Sequence, residues 1–254
     1  MMSVTYFENQ LEITPALANN SHCIALLNAT TLNVGEFDLP HYLSPFELNV
    51  INRRKNPQAK QEYLATRLVL KYLVKTACSS YASLKLCDIS SEFNPDNSKL
   101  ELHIKNTTGV ISCCISHSHG FVGAALNVAS TQFGFDIEKI SLKRPFNKLA
   151  KHFYHPAEVS LITDTDNITT QAHHFFRIWT LKEALAKATS RPIAQLLSPN
   201  VFNELNNTQL TACSNTVVGA HNDMFDISVV AKKSTDWRCS FISLKALSSK
   251  LAFK

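Results

Sequence analysis

The sequence has no run of about 20 apolar residues, so no helix is expected to cross a membrane. Its first twenty residues, MMSVTYFENQLEITPALANN, carry acidic residues and no basic stretch ahead of the apolar ones, so no secretory leader is expected. No C-x-x-C spacing occurs among Cys23, Cys78, Cys87, Cys113, Cys114, Cys213 and Cys239, and their number is odd. Neither a disulfide framework nor a zinc site follows from such a set; free thiols in a reducing cytoplasm do. No block of five or six Lys or Arg and no nucleic-acid-binding motif is present, so nucleic acid is not an expected partner. Low-complexity tracts and repeats are also missing.

What is there fits a globular protein. The chain has 254 residues, 45% of them hydrophobic, which is long for one core and enough for two domains of roughly 100–150 residues. The net charge of +5 reads as a diffuse excess that favours anionic partners, such as a phosphate-rich small molecule or an acidic protein surface. Helical spacing of apolar residues predicts a helix over 58–77, and residues 44–60 around its start hold a basic cluster of Arg53, Arg54, Lys55 and Lys60. Lys60, Arg67 and Lys71 share one face of that helix, which reads as a solvated face. Strands are expected at 109–116, 121–128 and 133–140, joined as hairpins by short polar or Gly-containing links. A second helix is expected over 172–189, stopped by Arg191-Pro192. Segments 224–232 and 237–247 read as a last pair of strands. The class implied is α+β, with a division at the turn-prone ASTQ of residues 129–132.

The stretch FGFDIEKI, 133–140, places two carboxylates in an apolar run. Strand alternation puts Asp136 and Glu138 on one face, about 7 Å apart, and Phe135 and Ile137 on the other. Hard oxygen ligands of this kind suit magnesium, which completes its octahedron with water and substrate phosphate. The plain alternative is a half-exposed strand whose acids pair with Lys139 or Lys143. On the helix near 180, Phe175, Ile178, Leu181 and Leu185 form one stripe, and Trp179, Glu183 and Lys187 form another on a nearly opposite face. That second stripe is either a helix-stabilising acid–base pair or a third carboxylate with a lysine beside it for phosphate. His117, in CISHSHGFVG, can bind phosphate or metal or act as a base, or can be an ordinary surface residue.

In order, Ile115-Ser116-His117-Ser118, Gly134-Phe135-Asp136-Ile137-Glu138 and Trp179-Thr180-Leu181-Lys182-Glu183-Ala184-Leu185-Ala186-Lys187 resemble the motifs of the Sfp-type 4′-phosphopantetheinyl transferases. The likeness covers 114–187 and extends upstream to YLATR, 63–67, which is similar to the family's L-A-G-R helix. The resemblance implies two similar α/β lobes in one chain, related by a pseudo-twofold, with the active site at their interface. Residues 1–129 would form the lobe with the coenzyme A nucleotide contacts, and 130–254 the lobe with the magnesium site and catalytic helix. The reaction implied moves the phosphopantetheine arm of coenzyme A to a serine of an apo acyl or peptidyl carrier protein and releases adenosine 3′,5′-bisphosphate. By resemblance, Asp136, Glu138 and Glu183 hold magnesium, and Glu183 is also the general base. Lys187 and His117 meet pyrophosphate oxygens, Ser116 positions the nucleotide, and Trp179 packs to fix the helix. Arg53, Arg54, Lys60 and Arg67 are candidates for the 3′-phosphate or pyrophosphate, and Lys99 for the family's G-K-P lysine. The implied partner is an acidic carrier domain, and the implied protein is a cytoplasmic monomer.

Three positions depart from the family pattern. Lys99 lacks the flanking glycine and proline, Thr66 replaces the glycine of L-A-G-R, and Phe135 replaces a smaller residue. Phe135 should face the core and bear on packing more than on chemistry; the first two motivate a second reading, a non-catalytic binder of coenzyme A or carrier protein. A third is another metal-dependent phosphotransfer enzyme or nuclease using the same acids.

Overall fold

The computed structural model describes residues 10–14, 17, 22–107, 110–127 and 130–251. Among these, ten strands and eight α-helices make a mixed α+β chain with two sheets. The strands are β1 (Glu12–Ile13), β2 (His22–Asn28), β3 (Ile89–Asn94), β4 (Lys99–Ile104), β5 (Val110–Ser118), β6 (Phe121–Asn127), β7 (Phe133–Lys139), β8 (Thr211–Val218), β9 (Met224–Ala231) and β10 (Arg238–Ile242). The helices are α1 (Leu39–Tyr42), α2 (Pro45–Arg53), α3 (Pro57–Ala77), α4 (Phe146–Phe153), α5 (Pro156–Thr163), α6 (Ile168–Thr189), α7 (Val201–Thr208) and α8 (Leu244–Leu251). None of the described helices is long and apolar enough to cross a membrane.

The chain forms two compact units. One is Glu12–Thr131 with the chain from Trp237 onward; the other is Gln132–Asp236 with the described residues up to Leu11. The last strand and helix thus join the earlier part of the chain, not the segment 130–254 with which the sequence reading grouped them. Hydrogen bonding and packing explain this: β10 runs parallel to β2, with Cys239 opposite Ile24, and Leu247 and Leu251 of α8 enter the same core as Leu64 and Leu68 of α3. The expected final strand pair is therefore not a pair. β9 lies in one sheet and β10 in the other, and the end of the expected strand is helix α8.

The Glu12–Thr131 unit holds a seven-stranded sheet, ordered β1-β10-β2-β6-β5-β4-β3, against which α3 packs. β5 and β6 form the expected hairpin, with Ser118 opposite Phe121. Its two turn residues, His119 and Gly120, have φ of 53° and 78°, the left-handed pair a tight hairpin turn requires. The other expected hairpin, 121–128 to 133–140, does not form: β7 pairs with β9 in a three-stranded antiparallel sheet, β7-β9-β8.

Helix α3 begins where Asn56 accepts a hydrogen bond from the Ala59 N–H and Pro57 supplies a preset φ. Its basic stripe is not a solvated face. Lys71 is 1% exposed; its Nζ reaches Glu47 Oε2 at 2.6 Å and donates to the Tyr42 and Leu86 carbonyls at 2.7 and 3.0 Å. Burial pushes the Lys71 ammonium down and the Glu47 carboxylate opposes this. Wheel position alone could not reveal a buried acid 24 residues upstream. Helix α6 starts earlier than expected, at Ile168, because Asn167 accepts from the Thr169 and Thr170 N–H groups. It ends at Ser190 in the left-handed region, just ahead of Arg191-Pro192.

Candidate active site

The candidate residues divide between the two units. In the Gln132–Asp236 unit, α6 lies on the face of β7 that carries Gly134, Asp136 and Glu138. Phe133, Phe135 and Ile137 are buried on the opposite face. A Cβ at Gly134 would come within 2.0 Å of the Ala184 carbonyl oxygen and 2.6 Å of the Ala188 nitrogen. Only glycine lets the helix backbone approach the strand this closely. That approach sets the turn carrying Glu183 and Lys187 beside the two strand acids. Lys187 Nζ donates to Asp136 Oδ1 at 2.8 Å and to the Phe135 carbonyl at 3.1 Å.

Three carboxylates share this place. Burial pushes the Glu183 carboxyl up to about 6; the charges of Asp136 and, less strongly, Glu138 add to the rise, and Lys187 opposes it. Asp136 is only 4% exposed. Lys139 pairs with Asp223, and Asp136 pairs with Lys187. A set of carboxylate oxygens crowded enough to repel one another fits a hard divalent cation such as magnesium. The side chains do not stand as a closed cage. Among the described residues no three acid, His or Cys groups have ready metal-ligand geometry; Asp136 faces Lys187, and Glu138 Oε1 accepts from Trp179 Nε1 at 3.1 Å. Trp179, expected only to pack, thus also holds an acid. Its ring stacks on Phe175 and lies under the Arg144 guanidinium.

Sequence reasoning missed two buried networks that fix α6. Lys182, the first lysine of the helix motif, is fully buried: it donates to the Leu196, Leu197 and Pro199 carbonyls and pairs with buried Glu158 at 2.9 Å. Asp226 takes a two-point contact from Arg177 and a 2.7 Å hydrogen bond from Thr180. Burial pushes the Asp226 carboxyl up, and Arg177 counters it. Spacing offered no signal for either, because the partners lie far along the chain.

In the Glu12–Thr131 unit, a cavity of about 140 Å³ is lined by Arg54, Glu62, Tyr63, Arg67, Ile115 and His117. The Arg54 and Arg67 guanidinium carbons stand 4.8 and 4.1 Å from the Tyr63 ring centre. Arg67 is 8% exposed, and its Nε is buried without a hydrogen-bond partner. Thr66, the residue that departs from L-A-G-R, uses its hydroxyl to donate to the Tyr63 carbonyl and to accept from Arg67. The cavity therefore gathers Arg54, Arg67 and His117. The remaining candidates do not line it. Lys60 lines a separate cavity of about 480 Å³ with Lys55, Gln61, His119 and Gly120. Arg53 ends α2, exposed, and lines neither. Lys99 opens β4, where burial lowers its pKa and neighbouring Cys114 raises it. Ser116 is 7% exposed and, by strand alternation, points to the sheet face opposite His117.

Similarity to known proteins is found over part of the chain. The profile of the 4′-phosphopantetheinyl transferase superfamily matches residues 132–242. The 4′-phosphopantetheinyl transferase HetI of Nostoc sp. is 29% identical over 159 residues, 63% of this chain and 64% of that protein. A Synechocystis sp. protein provisionally named 4′-phosphopantetheinyl transferase slr0495 is 25% identical over 152 residues, 60% of this chain and 58% of its own length. The matched region thus spans less than two thirds of either relative. Profile and relatives alike make this chain similar, over part of its length, to the 4′-phosphopantetheinyl transferase superfamily.

Proposed function

We propose that this chain is a magnesium-dependent phosphopantetheinyl transferase of the Sfp type. It would move the phosphopantetheine arm of coenzyme A to a serine hydroxyl of an apo carrier protein and release adenosine 3′,5′-bisphosphate. The observation that carries the reading is the strand–helix contact at Gly134, which sets Glu183 and Lys187 beside Asp136 and Glu138.

On this reading Asp136, Glu138 and Glu183 hold magnesium, which when bound offsets pyrophosphate charge. Lys187 exchanges its contact with Asp136 for a phosphate oxygen. Glu183 accepts the serine proton, directly or through water. Trp179 keeps Glu138 turned toward the site. Arg54, Arg67 and His117 are the candidates for coenzyme A phosphates, and buried, unpartnered Arg67 Nε supports that assignment. Lys60, Arg53, Lys99 and Ser116 would contribute through other parts of the coenzyme. The reading includes the Sfp-type arrangement of two lobes in one chain, a monomer and a cytoplasmic setting.

The partner is an acidic carrier domain. The fifteen residues 139–153 carry five of the 25 Lys and Arg and none of the 20 Asp and Glu, so they account for the whole net charge of +5. These cations form one acid-free run that starts at the end of β7. Lys148, Lys151 and His152 are exposed on α4, while Phe146 and Ala150 are buried.

The test is incubation with coenzyme A, magnesium and a panel of apo carrier proteins, followed by mass spectrometry. A gain of one phosphopantetheine on a carrier serine is expected. No gain on any carrier, with competent controls, removes the transferase reading; coenzyme A binding without transfer would instead favour the non-catalytic binder.

A further inference from the structure

Glu62 lies on α3, has no part in the transfer chemistry above, and has both carboxylate oxygens engaged. Oε1 accepts from the Gly120 N–H and from Gln58 Nε2, each at 3.1 Å. Oε2 stands 3.1 Å from His117 Nδ1. The side chain is 10% exposed, against 48% for His117. These contacts tie α3 to the β5–β6 turn, 58 residues away at Gly120. The turn has little freedom of its own: Gly120 has φ of 78°, and a Cβ there would stand 2.8 Å from Thr30 Cγ2.

The arrangement has a consequence for the His117 ring. An imidazole nitrogen facing a carboxylate carries the proton, so Nδ1 is the protonated edge. Nε2 is then the nitrogen through which the ring would meet a ligand. To donate to a phosphate oxygen, Nε2 must carry a proton too, which makes the ring an imidazolium. Among the groups around it, Arg54 and Arg67 line the same cavity and disfavour that charge, as does any charge on His119 in the turn; Tyr63 is neutral. Glu62 is the acid that lines this cavity, and it is in contact with the ring.

We infer that Glu62 is a positioning residue: it clamps His117 to α3 and favours its imidazolium, the form in which Nε2 can donate to a phosphate oxygen of the substrate. The inference rests on reading His117 as a phosphate contact of coenzyme A. Glu62 itself acts through His117 and touches no substrate.

Glu62→Gln keeps an oxygen for the Gly120 N–H and removes the charge, so it separates the clamp from the brace. Without ligand, the His117 ring is titrated by NMR in the parent protein and in E62Q. The midpoint falls by about one pH unit in E62Q. An unchanged midpoint overturns the inference whether or not coenzyme A binds. Calorimetry with coenzyme A then shows E62Q weakened about tenfold at pH 8, and less at pH 6, where an unaided imidazole is already largely charged. In a His117→Ala background, E62Q causes no further loss. An equal loss at both pH values, or a loss that persists in the His117→Ala background, makes Glu62 a plain structural brace and also overturns the inference. A parent protein that does not bind coenzyme A, yet whose His117 midpoint falls in E62Q, refutes the transferase reading while upholding the clamp on the ring.

Discussion

Gly134 shows how much one missing Cβ can decide. Alanine there would meet backbone atoms of α6, which cannot swing aside as a side-chain tip could. Gly134→Ala is expected to cost about 1–3 kcal/mol in urea unfolding and to lower transfer sharply, because α6 must move off β7. A variant with parent-like stability and activity would mean that the helix does not need this approach. Asp136→Ala and Glu183→Ala are expected to lower kcat at least about a hundredfold while circular dichroism stays native. Full activity in either would dismiss the assigned acids. At this scale the sequence was partly readable. Asp136, Glu138, Glu183 and Lys187 declare themselves by periods of two and of four, since each pair sits on one element. Glu62 with His117, and Arg177 with Asp226, are pairs between elements, and no local period encodes them.

Helix α6 illustrates the same divide for whole elements. Its apolar stripe and its Arg-Pro stop were legible, and the Asn167 cap sets a start that periodicity alone placed four residues late. Its lysines were not separable by pattern: Lys187 reaches the acids, whereas Lys182 is sealed inside with Glu158. Burial lowers the Lys182 pKa and Glu158 resists this, so the two charges depend on each other. Removing one partner leaves the other charge buried and uncompensated. Glu158→Ala is therefore expected to cost about 3–5 kcal/mol of stability by urea denaturation. The Glu158→Gln, Lys182→Met double variant should recover much of that loss, because no charge then remains inside. If the single variant costs under about 1 kcal/mol, the pair is not the staple that joins α6 to the 196–201 segment. Helix α3 makes the parallel point, for its apparent solvated stripe ends in the buried Lys71–Glu47 pair.

Across the whole molecule, charge distribution is the property that relates most directly to a partner. Residues 139–153 carry five Lys and Arg and no Asp or Glu, so on the proposed reading this run contributes long-range attraction for an acidic domain. Lys139 is neutralised by Asp223, and Arg144 is set against Trp179, which leaves Lys143, Lys148 and Lys151 as exposed charges. The double reversal Lys148→Glu, Lys151→Glu should raise KM for an acidic carrier about tenfold, mainly through a slower on-rate. KM for coenzyme A and the thermal midpoint should stay near the parent values, since both side chains point away from the core. Raising salt from 50 to 500 mM should weaken the parent's carrier binding and affect the double variant much less. A parent protein whose carrier KM ignores salt, or a double variant with unchanged carrier KM, would place the docking face elsewhere. A rise in both KM values would instead mean that α4 supports the active site itself.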